Sequence, residues 1–94
     1  MRIEAVIRQV GELHEGKSKA TGKEWKAVQI LLEWEGEEEP NRAWATMFNE
    51  VVEVFMQAGL CIGDSCMATL SFSARTFRTG YHKTDICVNL IRRN

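Results

Sequence analysis

One segment of this chain repeats on a helical period, and every other apolar segment repeats on the period of a strand. Residues 49–58, NEVVEVFMQA, carry Val51, Val54, Phe55 and Ala58 at i, i+3, i+4 and i+7. That is the stripe of a short amphipathic helix. Asn49 stands where an N-cap belongs, Glu50 where the helix dipole favours an acid, and Gly59 where a C-cap belongs. A lone helix among strands predicts an all-β chain in which the helix plugs one end of the core.

The strands follow in order. Residues 2–14 set Ile3, Ala5 and Ile7 against Arg2, Glu4 and Arg8. The alternation then slips at Val6 and Val10 and meets Gly11, which predicts a bulge or a sharp bend. Residues 15–23, EGKSKATGK, are a turn by composition. Its Lys17, Lys19 and Lys23 serve either solubility or an anionic partner. Residues 24–34 put Val28, Ile30 and Leu32 on one face and Trp25, Ala27, Gln29, Leu31 and Glu33 on the other. An outward Trp25 has three readings: a base-stacking platform, a subunit contact, or a reversed assignment of faces. Residues 35–42, EGEEEPNR, read as an acidic loop in which Pro40 and Asn41 break any strand. Residues 43–48 give a short strand with Trp44, Thr46 and Phe48 on one face. For Trp34 and Trp44 the reading is core or interface. Residues 65–77 alternate cleanly, with Ala68, Leu70, Phe72 and Ala74 facing one way. Gly80 closes a turn, and residues 82–91 form the last strand, with Ile86, Val88 and Leu90 sharing a face.

Charge is distributed unevenly along the 94 residues. Six basic and four acidic side chains fall in 1–32, one and eight in 33–64, and five and one in 65–94. A chain of net charge −1 can therefore still present a basic face if its ends meet. The length suits one domain, 1–94. The opening MRIEAVIRQV lacks the apolar run of a signal peptide, and no segment approaches the roughly 20 apolar residues of a membrane span. Cys61, Cys66 and Cys87 have no CxxC spacing and sit in apolar contexts, which suggests packed thiols in a reducing, cytoplasmic compartment. His14 and His82 share no ligand spacing with them, so neither a metal nor another cofactor is expected. No nucleophile–base pair or paired carboxylates suggest an enzyme.

The order strand, strand, strand, helix, strand, strand, with a long bent first strand, is that of a five-stranded OB-fold barrel with its helix between strands 3 and 4. Such barrels bind oligonucleotides or oligosaccharides on a face formed by their middle strands, flanked by the loop joining strands 1 and 2 and the loop joining strands 4 and 5. Here those loops are 15–23 and 77–83, where the basic residues cluster. Residues 74–83, ARTFRTGYHK, interleave Arg75, Arg78 and Lys83 with Phe77 and Tyr81, the composition that suits phosphates and bases. The 77–82 connection itself is short.

Residues 42–54, RAWATMFNEVVEV, resemble the segment of bacterial single-stranded DNA-binding proteins in which a strand runs into the short helix. The stretches SKATGKEWK, ILLEWE, IGDSCMATLSFSAR and YHKTDI are similar to a family of small single-domain bacterial OB proteins of the single-stranded DNA-binding and primosomal replication type. The resemblance implies a non-catalytic binder of single-stranded DNA, or of RNA, acting as a homodimer or homotetramer. Carried over by position, its nucleic-acid side falls on Lys17, Lys19, Lys23, Trp25, Lys26, Arg75, Phe77, Arg78, Tyr81 and Lys83, with Trp44 a further candidate. The alternative is an OB module for protein assembly, whose exposed face around Trp25 and Leu31 is an interface.

Overall fold

The structure, a computed structural model, describes residues 1–76, 78–80 and 82–94, and of Arg75, Thr76, His82 and Lys83 it describes the backbone alone. Its elements are β1 (Arg2–Val10), β2 (His14–Lys17), β3 (Glu24–Trp34), β4 (Asn41–Phe48), α1 (Glu50–Gln57), β5 (Ser65–Thr76) and β6 (His82–Arg93).

Five of the strands close into a ring. Antiparallel pairing joins β1 to both β3 and β5, β5 to β6, and β3 to β4, and a short parallel contact joins β4 to β6. The long first strand serves both sides as its pattern predicts: Val6 lies opposite Glu33 on β3 and Ser65 on β5. The slip in its alternation is a bulge, for the register with β3 skips between Ile7 and Gln9 and leaves Arg8 without a ladder partner. Gly11 N–H then donates to the Gln29 carbonyl at 2.7 Å. A Cβ at Gly11 would sit 3.0 Å from that oxygen.

Alternation fixes the core. Ile3, Ala5 and Ile7, Val28, Ile30 and Leu32, Ala45 and Met47, and Cys66, Ala68 and Leu70 all point into the ring and are buried. Val52 and Phe55 of α1 cover one end. Burial pushes the Cys66 thiol up to about 11, so this group is an inert apolar filler at neutral pH.

The structure departs from the sequence expectations at five places. The expected 15–23 turn contains β2, which pairs with the start of β3 and narrows the turn to residues 18–23. There are therefore six strands, and the helix follows β4 rather than the third strand. Asn41 does not break β4 but begins it, opposite Trp34. Asn49 does not cap the helix with its side chain. Its Oδ1 accepts from Lys26 N–H at 3.1 Å while its own N–H donates to the Lys26 carbonyl at 2.9 Å. It thereby continues the β3–β4 ladder one residue past Phe48, with a positive φ of 49°, a range in which Asn occurs more often than most residues. On α1 the buried valine is Val52, and Val54 is exposed. On β6 the register skips between Thr69 and Leu70, so Asn89 is extra and the alternation flips. Ile91 is buried in place of Leu90, which is 69% exposed.

Candidate nucleic-acid interface

The outer face of β3 and β4 is set by the same alternation that fills the core. With Val28, Ile30 and Leu32 inward, Trp25, Ala27, Gln29, Leu31 and Glu33 point outward, so the assignment of faces read from the sequence is correct. Register then builds cross-strand rows: Ala27 opposite Phe48, Gln29 opposite Thr46, Leu31 opposite Trp44, and Glu33 opposite Arg42. Directly opposed residues in an antiparallel pair stand about 4.5–5.5 Å apart. The result is a strip carrying Trp25, Phe48 and Trp44, which are 41%, 46% and 45% exposed. Trp44 is thus an outward residue rather than a core one, whereas Trp34 packs against the core. Phe48 belongs to the strip and is absent from the residues the sequence nominates. Its signal was available in the shared face of Trp44, Thr46 and Phe48.

Trp25 owes its pose to a glycine. Gly16 on β2 lies opposite Trp25, and a Cβ on Gly16 would come within 2.5 Å of the indole Cζ2. The indole therefore rests across the bare backbone of β2, a position that a side chain at residue 16 would deny it.

The lysine-bearing turn lies just beyond Trp25. Ser18 N–H donates to the Lys23 carbonyl, and Gly22 N–H to the Ser18 carbonyl, each at 2.8 Å, with Gly22 at φ 70°. Lys17, Lys19 and Lys23 are exposed, and no ion pair engages them among the described residues. Lys26 differs. It points to the opposite side of β3 from Trp25 and forms an ion pair with Glu53 of α1. A groove of about 660 Å³ opens here, lined by Glu15, Glu24, Glu50 and Glu53 against Lys17 and Lys26, with Gly16 and Trp25 also on its wall. Its acidic surplus disfavours a polyanion inside the groove, so Trp25 borders an acidic region on one side and the strip with Phe48 and Trp44 on the other.

The second basic loop stands at the other end of the strip. Because β6 runs parallel to β4, its first residues lie toward the Asn41 end, while the lysine turn lies toward the Phe48 end. The two loops thus frame the strip from opposite ends. The β5–β6 ladder continues past Val88 as far as Thr76 opposite His82, with Arg75 opposite Lys83. Six pairs beyond Val88 make an arm of roughly 20 Å, so the connection is short but the hairpin carrying it is long. Arg78 is exposed in its turn, where Gly80 takes φ 82°. Phe77 and Tyr81 lie outside the described residues, as do the side chains of Arg75 and Lys83.

At that same end Glu33 is bonded by two arginines. Arg8 Nη2 lies 3.2 Å from Oε1, and Arg42 Nε lies 2.5 Å from Oε2. These bonds, Arg8's first, hold the Glu33 carboxyl below the usual carboxylate range against a smaller opposing effect of burial. Arg93 is committed elsewhere: it donates to the Ala58 carbonyl at the helix end at 2.7 Å and lies 3.6 Å from Asp64. The basic surplus of the last third is thus divided over the surface.

Comparison with known proteins bears on the fold. No protein-family model matches the chain, and no curated protein matches it in sequence. Among solved structures it superposes on the SSB domain of a protein from Synechococcus sp. with a TM-score of 0.67, covering 99% of this chain and 92% of that one at 9% identity. The fold is therefore an SSB-like OB-fold, as the order of elements and the resemblance led one to expect.

Proposed function

We propose that this chain binds single-stranded nucleic acid, DNA before RNA, without sequence preference and without catalysing a reaction. One observation carries the reading: in an SSB-like fold, three exposed aromatics line the outer β3–β4 face between two basic loops. Every base has a π-face, so aromatic platforms hold bases of any sequence, while cations at both ends meet the backbone. In this reading Trp25, Trp44 and Phe48 stack, joined by Phe77 and Tyr81 of the arm. Lys17, Lys19, Lys23, Arg75, Arg78 and Lys83 meet phosphates. Lys26 reaches the strand only by exchanging Glu53 for a phosphate. One 94-residue chain offers a short groove, so the working form is a homodimer or homotetramer. Its free thiols suit a reducing cytoplasm.

Tryptophan fluorescence titrated with an oligo-dT of a few tens of nucleotides tests this. Saturable quenching that weakens steeply with salt is expected, with a slope near −0.7 per phosphate neutralised. Trp44→Ala should cost about 1–3 kcal/mol of affinity. Replacing Lys19, Arg75 and Arg78 together by glutamine should flatten the slope by about 2.

A second reading, a protein-assembly module, is favoured by the half-buried Leu31 beside Trp44 and by the net charge of −1. Absence of quenching at low salt would sink the first reading in its favour.

A further inference from the structure

The strip ends in a cluster that its aromatics do not explain. Arg8, Glu33 and Arg42 come from three neighbouring strands and meet on the outer face one row beyond Leu31 and Trp44. Arg8 is the residue that the β1 bulge leaves unpaired, and bulges re-aim side chains. Each Glu33 oxygen takes one guanidinium, so both carboxylate oxygens are engaged, and only 13% of its side chain is exposed. The arginines remain 48% and 65% exposed. Arg8 uses Nη2 and keeps Nε and Nη1 free of this pair, while Arg42 uses Nε and keeps both Nη groups. The cluster carries a surplus of one positive charge.

We infer that Arg8 and Arg42, anchored by Glu33, form a phosphate-binding subsite for the nucleic-acid backbone at the arm end of the strip. This rests on the binding reading above and extends it to residues outside the two basic loops. A guanidinium fork suits a phosphodiester, and anchoring removes the rotamer freedom that an exposed arginine would otherwise lose on binding. Spacing supports the assignment. Arg42 and Trp44 are two residues apart on one face of β4, about 7 Å, so a base stacked on Trp44 brings its backbone within reach of Arg42. From Trp25 to Glu33 the strip runs roughly 26 Å along β3. The subsite stands where that run meets the arm and lengthens the backbone that one subunit engages.

The test compares three proteins with a ladder of oligo-dT lengths from about 4 to 16 nucleotides, the range of OB site sizes: the unaltered chain, Arg8→Gln/Arg42→Gln, and Arg2→Gln/Arg92→Gln. The last loses the same charge from exposed residues on the outer face of β1, β5 and β6. In Arg8→Gln/Arg42→Gln the salt slope should fall by about 0.7–1.4, and affinity should stop rising at a shorter oligonucleotide. Quenching at saturation should persist, because the aromatics remain. The slope of Arg2→Gln/Arg92→Gln should not move. An unchanged slope in Arg8→Gln/Arg42→Gln, or an equal drop in Arg2→Gln/Arg92→Gln, overturns the subsite while leaving binding itself intact. Failure of the unaltered chain to bind overturns the binding reading and the subsite with it. If the double variant does not fold, Arg42→Gln alone should lower the slope by about 0.7, and no change there is equally fatal.

Discussion

At the scale of single residues, neighbours decide what a side chain type can do. Asn49 reads as a helix cap because the next eight residues are helical, but its side chain and its N–H bond the backbone of Lys26 instead. No local pattern announces that Lys26, 23 positions earlier, supplies the groups it bonds. Lys26 and Trp25 are adjacent in sequence and look like one site, yet a strand sends them to opposite faces. Trp25 was legible as an outward residue because its strand alternates without interruption. Glu33 gives a prediction that belongs to this scale. Its carboxyl is held below the ordinary value of 4.5 in the folded chain, so between the two pKa values the unfolded state binds the extra proton. The stabilisation is complete above pH 4.5 and is lost as pH falls through the lowered value. Denaturant melts from pH 7 to 3 should therefore show the unaltered chain's advantage over Glu33→Gln shrinking below about pH 4.5. A pH-independent difference would contradict the pairing.

At the scale of elements, five strands and the helix could be read from periodicity, and the errors fall where register slips. The β1 slip was visible because two valines broke the pattern and a glycine followed. The slip on β6 was not, because Asn89 is one polar residue inside a run that otherwise alternates. The sequence pattern therefore puts Leu90 inward, while the ladder puts Ile91 there. β2 escaped notice because four residues, HEGK, have no apolar face and are ordered only by pairing with β3. The register supplies its own check. Ile91→Ala should cost about 2–5 kcal/mol in a thermal or urea melt, and Leu90→Ala should stay within about 0.5 kcal/mol. The reverse order would mean that β6 is offset by one residue.

At the scale of the whole molecule, the class of fold followed from the order of elements, because few architectures accept a lone helix between strands with a bent first strand. The site was half legible. The sequence located both basic loops and Trp25, since composition marks them. It could not show that the loops stand at opposite ends of one strip, nor that Phe48, Arg8 and Arg42 share that face, because those facts arise from pairing between segments as far apart as Thr46 and Cys87. It also could not show that Arg93 is spent on the helix end. A basic count along the chain overstates the basic surface.

The ring has one thin seam. The ladder of β3 with β4 runs from Ala27 to Trp34, whereas among the described residues β4 pairs with β6 only at Thr46 and Met47, opposite Cys87 and Val88. Local opening starts where few bonds must break together, so the molecule should breathe along this line. Hydrogen–deuterium exchange should label the β4–β6 amides sooner than those bonded between β3 and β4, and uniform protection would argue against a weak line. Since the arm departs from this seam, each opening would swing it relative to the aromatic strip. On the binding reading proposed above, that swing would let a nucleic-acid strand enter or leave the strip sideways, without its ends having to be found.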